Sequence, residues 1–238
     1  MWNTVDIVEH CRPKVVVWEN VKNLLSKKHR HNFDGYLEVM EQMGYNNYYQ
    51  VLNAKDYGIP QNRERVFTIS IRKDVDKGYV FPEPQELALR LKDMLEDEVD
   101  EKYYINKEWK YSTKDKYEVN EIAQIEGINY KAIRSITDVN KVCRCLDTMG
   151  GGQREPKILE PVMYNHGTVT GVSVLKDNEY RIRKLTPKEC WRLMGFKDEQ
   201  FNKAAEVCSN SQLYKQAGNS IVVNVLEEIF KNLSILKR

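Results

Sequence analysis

Glu19 closes a short apolar run, Lys14-Val15-Val16-Val17-Trp18, and is the residue best placed in this chain for acid–base chemistry. Ligands of open α/β sheets gather just beyond the carboxyl ends of strands. A carboxyl group in a partly dry pocket there has a raised pKa and stays protonated long enough to donate to a ring nitrogen. A surface acid, or a carboxylate at a helix start, is the plainer reading of the same position. Arg63 and Arg65 lie two residues apart, so on an extended segment their guanidiniums point the same way. Two planar forks of donors on one side of a loop, with Gln61 in the same block, suit a phosphate and a carbonyl oxygen; two solvated arginines at a strand entry are the alternative. Asn219 and Ser220, after Gly218, read as a turn and a helix cap. Gly150, Gly151 and Gly152 read as a turn, or as a place where backbone comes close to a ligand.

The elements that must hold these residues follow from periodicity. The β-branched run ending at Trp18 predicts a strand buried on both faces, as in a parallel sheet. Residues 32–43 predict a helix with Phe33, Tyr36, Leu37 and Met40 on one face and Gly44 as its stop. Residues 48–53 and 66–72 read as strands, the second alternating Phe67, Ile69 and Ile71 against Thr68, Ser70 and Arg72. The stretch between them is too short for a crossover helix, so an antiparallel hairpin joins them and its loop carries Gln61, Arg63 and Arg65. Residues 85–101 are strongly acidic and are expected to form a solvated helix. Thr186-Pro187-Lys188-Glu189 is a capping box that starts a helix ended by Gly195, and a last helix capped by Asn219-Ser220 carries a broad apolar stripe from Ile221 to Leu233.

With 238 residues, 41% of them hydrophobic, the chain can build one large core or two small ones. A net charge of +2, from 37 basic and 35 acidic residues, does not by itself mark a nucleic-acid binder; the local basic runs at residues 12–31 and 176–192 are more informative. The five cysteines lack metal-ligand spacing, so no metal is expected, and reduced thiols fit the cytoplasm. Neither a long apolar run nor a signal-like start is present in these residues, and no membrane partner is expected.

Four blocks together are more specific than any one of them: Trp18-Glu19-Asn20-Val21, the run Gly58 to Phe67 containing Gln61-Asn62-Arg63-Glu64-Arg65, Arg183-Lys184-Leu185-Thr186-Pro187, and Gln216-Ala217-Gly218-Asn219-Ser220. Their order resembles the C-terminal half of the cytosine-5 DNA methyltransferases, over nearly the whole chain. The resemblance implies a doubly wound, mainly parallel, Rossmann-like α/β domain with a smaller inserted DNA-recognition domain. Its parts would be residues 1–74 (catalytic domain), 75–180 (target recognition) and 181–238 (hinge and closing helices). It implies double-stranded DNA as partner and S-adenosylmethionine as methyl donor. Glu19 would contact the N3 and amino group of a flipped cytosine, Arg65 the base, and Arg63 and Gln61 the DNA. Gly150, Gly151 and Gly152 would lie against DNA, and Asn219 and Ser220 beside the donor. Cys145 stands where the family commonly has a threonine that binds phosphate.

The family's Gly-rich donor loop and Pro-Cys nucleophile loop have no counterpart in this sequence, and none of the five cysteines follows a strand in a Pro-Cys context. The expectation is a truncated or split enzyme, inactive alone, with a separate N-terminal subunit as candidate partner. The alternative is a non-catalytic DNA-binding or regulatory module.

Overall fold

The computed structural model describes residues 1–105, 111–112, 121–149, 154–162, 172–175 and 178–233. A helix, α1 (Trp2–Cys11), leads into strand β1 (Val15–Val21), whose valines and Trp18 favour extended backbone. The turn Lys22–Leu25 then delivers the chain to α2 (Arg30–Gln42), which buries Phe33, Tyr36 and Met40 at helical spacing and stops at Gly44, φ 86°. Strands β2 (Tyr45–Asn53), β3 (Gln61–Asn62) and β4 (Glu64–Arg72) follow. The expected hairpin is present as the antiparallel pair β2 and β4, and β1 joins the other side of β4, also antiparallel.

Layers on both faces make this an α/β arrangement. Along β4 the period-2 alternation sends Val66 toward α1 and α2, and Phe67, Ile69 and Ile71 into a second core on the opposite face. Two expectations change. The three strands of this sheet pair only antiparallel, where a mainly parallel sheet was implied. Strand β1 is an edge strand whose side chains are half-buried, not covered on both faces.

The acidic stretch 85–101 is not an α-helix. It runs as irregular backbone with single 3₁₀ turns at Leu91–Met94 and Glu101–Tyr103. Tertiary partners take the amides a helix would need: Leu91 N–H donates to the Lys141 carbonyl at 2.9 Å and Lys92 N–H to Val139 at 2.8 Å. Burial of Leu91 and Met94, one turn apart, holds the stretch flat against the core.

Beyond it come β5 (Tyr111–Ser112), β6 (Glu121–Ile125), the one-turn helix α3 (Lys131–Arg134), β7 (Ser135–Thr137), β8 (Cys143–Arg144), β9 (Lys157–Pro161), β10 (Val172–Leu175) and β11 (Asn178–Lys184). Six of these strands form a sheet in the order β10-β11-β9-β7-β6-β5, with its own small core of Ala123, Ile125, Ile136, Leu159 and Ile182. Strand β8 instead pairs parallel with β3, so the two parts of the chain share a strand contact.

Lys157, in the middle of this sheet, is fully buried. Burial pulls its ammonium down to about 8, against a smaller opposing pull from Glu155. A lysine with a depressed folded pKa costs stability while both states hold the proton, and the cost fades as the folded state sheds it first. Relative to Lys157→Met, the wild-type chain should therefore gain stability as pH rises from about 8 toward the ordinary lysine value of about 10.4. Urea unfolding of both proteins across that window checks it, and a difference that stays flat would contradict it.

The closing helices are α4 (Pro187–Arg192), α5 (Asp198–Ala205), α6 (Asn210–Asn219) and α7 (Val223–Lys231). The expected capping box starts α4: the Thr186 hydroxyl accepts from Glu189 N–H at 3.2 Å and the Glu189 carboxylate accepts from Thr186 N–H at 2.7 Å. Gly195, φ 81°, follows its end. These helices pack on the face of the sheet that carries Phe67, Ile69 and Ile71. Among the described residues no helix is long and apolar enough to cross a membrane.

Candidate active site

The antiparallel register of β1 and β4 places Val21 opposite Arg65 and Glu19 opposite Phe67. Glu19 and Arg65 are thus diagonal neighbours on one face, a separation long side chains span. They meet as an ion pair, Arg65 Nε to Glu19 Oε1 at 3.1 Å, each side chain 17% exposed. Burial raises the Glu19 pKa; the nearby Arg65 and Arg63 guanidiniums oppose that rise and do not cancel it. A recess opens beside the pair, lined by Glu19, Arg63, Arg65, Phe67, Val222 and Val225. The result is a carboxyl held in one orientation by a cation, in a partly dry recess, with its neutral form favoured over that of a free glutamate. Such a group can donate to or protonate a heterocycle brought against it.

Arg63 lines the same recess as Arg65, but its guanidinium is taken up by backbone carbonyls. It is 4% exposed and points inward. One terminal nitrogen donates to the Leu146 carbonyl at 2.9 Å, and the other to the carbonyls of Gly218 at 3.0 Å and Ser220 at 2.9 Å. Gln61 is likewise fully buried: its amide nitrogen donates to Leu193 O at 2.7 Å and its oxygen accepts from Leu146 N–H at 3.0 Å. Both side chains expected at the DNA surface therefore bracket the 145–149 segment to the closing helices. The two guanidiniums do converge, both meeting the Cys145 sulfur, but the carbonyls of Leu146, Gly218 and Ser220 occupy Arg63 and leave it facing the protein and not a ligand.

Cys145 lies between the two arginines, its sulfur 3.6 Å from Arg63 Nη1 and 3.7 Å from Arg65 Nη2. The thiol thus meets the site's own cations. Sequence reasoning noted Cys145 only as a departure and did not bring it to Glu19. It missed Val222 and Val225 altogether, for which only the apolar stripe of α7 gave a signal.

Asn219 and Ser220 do not cap the last helix. They end α6, and α7 begins at Val223 with Val222 before it. Ser220 donates its hydroxyl back to the Gln216 carbonyl at 2.7 Å, closing the helix. Asn219 is exposed, and no hydrogen bond of its side chain is seen among the described residues. Gly150, Gly151 and Gly152 lie outside the described residues.

Gly218 is required by a close approach. A Cβ there would run into the backbone of Asp147 and stand 2.7 Å from Thr148 Cα. Gly218→Ala must push the 145–149 segment off α6 and loosen the Arg63 bracket. Overpacking against backbone costs about 1–3 kcal/mol. A lowered urea midpoint is expected; an unchanged one would show that the segment gives way freely.

Comparisons with known proteins identify the family. The family model for C-5 cytosine-specific DNA methylase matches residues 1–235. The type II methyltransferase M2.ScrFI of Lactococcus lactis subsp. cremoris is 39% identical over 233 residues, which are 98% of this chain and 58% of that protein. The orphan methyltransferase M.SPBetaI of Bacillus phage SPbeta is 35% identical over 98% of this chain and 68% of its own length. The chain therefore spans between 58% and 68% of these relatives. The crystal structure of the S. pombe Dnmt2 methyltransferase superposes with a TM-score of 0.65 at 19% identity, covering 96% of this chain and 68% of that one, a likeness of fold. With a family match over nearly every residue, and with Glu19 and Arg65 of the matching blocks joined in one recess, the chain belongs to the C-5 cytosine-specific DNA methylase family.

Proposed function

We propose that this chain is the carboxyl-terminal part of an enzyme that methylates C5 of a cytosine flipped out of duplex DNA. The observation that carries the reading is the Glu19–Arg65 pair in its recess. Glu19 holds the base at N3 and its amino group and supplies a proton toward N3 as a nucleophile adds at C6. Arg65 orients Glu19 and contacts the base. Arg63 and Gln61 act one step removed: by tying residue 146 to the closing helices they fix the wall of the recess. This positioning role replaces the direct DNA contact implied for them by resemblance.

S-adenosylmethionine supplies the methyl group in this chemistry. Asn219 fits a polar contact to it, being exposed at the end of α6, whereas the Ser220 hydroxyl already donates to Gln216 and keeps only accepting capacity. Residues 75–180 form the target-recognition domain in this reading, with Gly150, Gly151 and Gly152 approaching DNA, and residues 1–74 and 181–238 belong to the catalytic domain. The nucleophile and most of the donor site come from an amino-terminal part, whether on a longer chain or a separate subunit. The relatives' greater length and the edge position of β1 support this. Bacterial and phage sources of those relatives support a cytoplasmic setting.

A methyl-transfer assay with tritiated donor and duplex DNA tests the reading. Residues 1–238 alone should transfer nothing, and co-expression with the amino-terminal half of a relative such as M2.ScrFI should produce labelled DNA. Turnover by the chain alone would overturn the split reading. Absence of label from a soluble, co-purifying pair would favour a non-catalytic DNA-binding module.

A further inference from the structure

We propose that strand β1 pairs along its open edge with β1 of a second copy of this chain, antiparallel and about a two-fold axis through Val17. Strand β1 stands at one side of its sheet, bonded to β4 alone. Arg72 N–H donates to the Lys14 carbonyl at 3.0 Å, and the register runs on from that pair without a bulge. In an antiparallel ladder the bonding direction alternates residue by residue. Lys14, Val16, Trp18 and Asn20 therefore turn their N–H and C=O groups to β4, and Val15, Val17, Glu19 and Val21 turn theirs outward. The Val21 N–H is taken by Asn20 Oδ1 at 2.8 Å. The outward groups of Val15, Val17 and Glu19 have no hydrogen-bond partner among the described residues.

Three outward residues at equal spacing are their own complement. A two-fold axis through Val17 sets Val17 against its copy and Val15 against Glu19, and each such pair exchanges two bonds. On the other face the same register sets Val16 opposite Trp18, a β-branched residue against an aromatic one, a pairing that stabilises sheets. Glu19 meets Val15 and Lys14 meets Asn20, so no like charges stand opposite each other.

The strand also lacks the devices that guard an edge. Natural edges are blunted by lysine, proline, a bulge or shortness. Val15–Val21 has seven residues, no lysine or proline, and an unbroken register. Its one charged side chain, Glu19, is engaged by Arg65. The far edge of the sheet differs: β2 holds three asparagines in nine residues, where β1 holds four valines in seven. Residues 15–20 are half-buried within one chain, and pairing completes their cover. In the function proposed above, an amino-terminal part and a second copy compete for this edge, so the dimer is the form the chain takes when that part is absent. The pairing itself does not depend on that function.

Sedimentation equilibrium of residues 1–238 reads the mass. The expected result is a reversible species of twice 28.0 kDa, half-dissociated between about 1 and 100 μM, as suits a small interface. Val17→Cys and Val15→Cys, each in a Cys11→Ser background, report the register under mild oxidation; the Cys11→Ser chain, which keeps Cys145 and Cys208, is the baseline. Paired residues stand ~5.5 Å apart at Cα, within disulfide reach, so Val17→Cys should cross-link to its copy. Val15 lies four positions from its own copy, ~14 Å along the strand, and Val15→Cys should not cross-link. Val17→Pro removes the central outward N–H, leaves the bonds to β4 in place and should weaken association about tenfold or more; should it fail to fold, the cysteine pair decides alone. A chain still monomeric at about 100 μM overturns the proposal. So does a dimer in which both cysteine variants cross-link alike or neither does, or one that a folded Val17→Pro chain forms as tightly as wild type. Open-ended aggregation in place of a dimer overturns it as well, because a two-fold pairing closes on itself.

Discussion

Glu19→Gln, in the enzyme completed by its amino-terminal half, should slow the methyl-transfer step by about a hundredfold or more and change duplex affinity far less. Glutamine keeps the shape of the side chain and a hydrogen-bond donor for the base, so docking survives. It cannot release a proton to N3, so addition at C6 loses its general acid, a contribution typically of 10²–10⁴-fold. It also removes the charge that orients Arg65, at 3.1 Å in the native site. Single-turnover rates and anisotropy on the same preparations separate the two effects, and equal rates would remove Glu19 from the mechanism. The sign of the pH effect follows from burial, which raises the Glu19 pKa and leaves more of the group protonated at a given pH. The wild-type advantage should shrink as pH rises through that raised value, and the glutamine variant should lack this limb.

The part of this site legible in the sequence is the part set by local rules. A β-branched run ending in a carboxylate, and an arginine at the start of an alternating strand, need only strand periodicity to be placed, and β1 and β4 follow from it; the Glu19–Arg65 pair needs in addition the antiparallel pairing of β1 with β4, which no local rule gives. The capping box of α4 was equally local, since both of its hydrogen bonds run between residues three apart. Arg63 and Gln61 were not legible, because their partners Leu146, Leu193, Gly218 and Ser220 lie between 83 and 157 residues away. No periodicity encodes such contacts. Residues 85–101 failed for a related reason: acidic composition signals solvation, but the amides of Leu91 and Lys92 had distant carbonyls to bond, and those decided the backbone. Gly218 read as part of a turn, whereas it lies inside α6, and its reason is the 147–148 backbone that crosses it.

Breaking the buried pair between Arg183 and Glu189 should destabilise the chain by about 3–5 kcal/mol. Both side chains are fully buried, and two parallel bonds of 2.8 Å join them. Burial alone would pull the Arg183 pKa down, yet its bonds to Glu189 and to Glu160 push it upward, so the guanidinium stays charged. Glu189 also accepts from the backbone N–H groups of Thr186 at 2.7 Å and Glu96 at 3.0 Å. The pair therefore ties β11, the start of α4 and the 91–104 stretch into one joint beneath the six-stranded sheet. Glu189→Ala leaves the buried Arg183 with Glu160 as its one carboxylate partner among the described residues, and two amides unpaired, which is why the single change should be severe. Replacing both partners by apolar residues of similar volume, Arg183→Met with Glu189→Leu, removes the Arg183 cation as well as the attraction, leaving only the partly exposed Glu160 and two amides to find other partners, and should cost less than the sum of the single changes. Urea unfolding of the two single variants and the double variant measures the coupling directly. A loss below about 1 kcal/mol for Glu189→Ala would place the pair in the range of solvent-screened surface bridges, contrary to its burial.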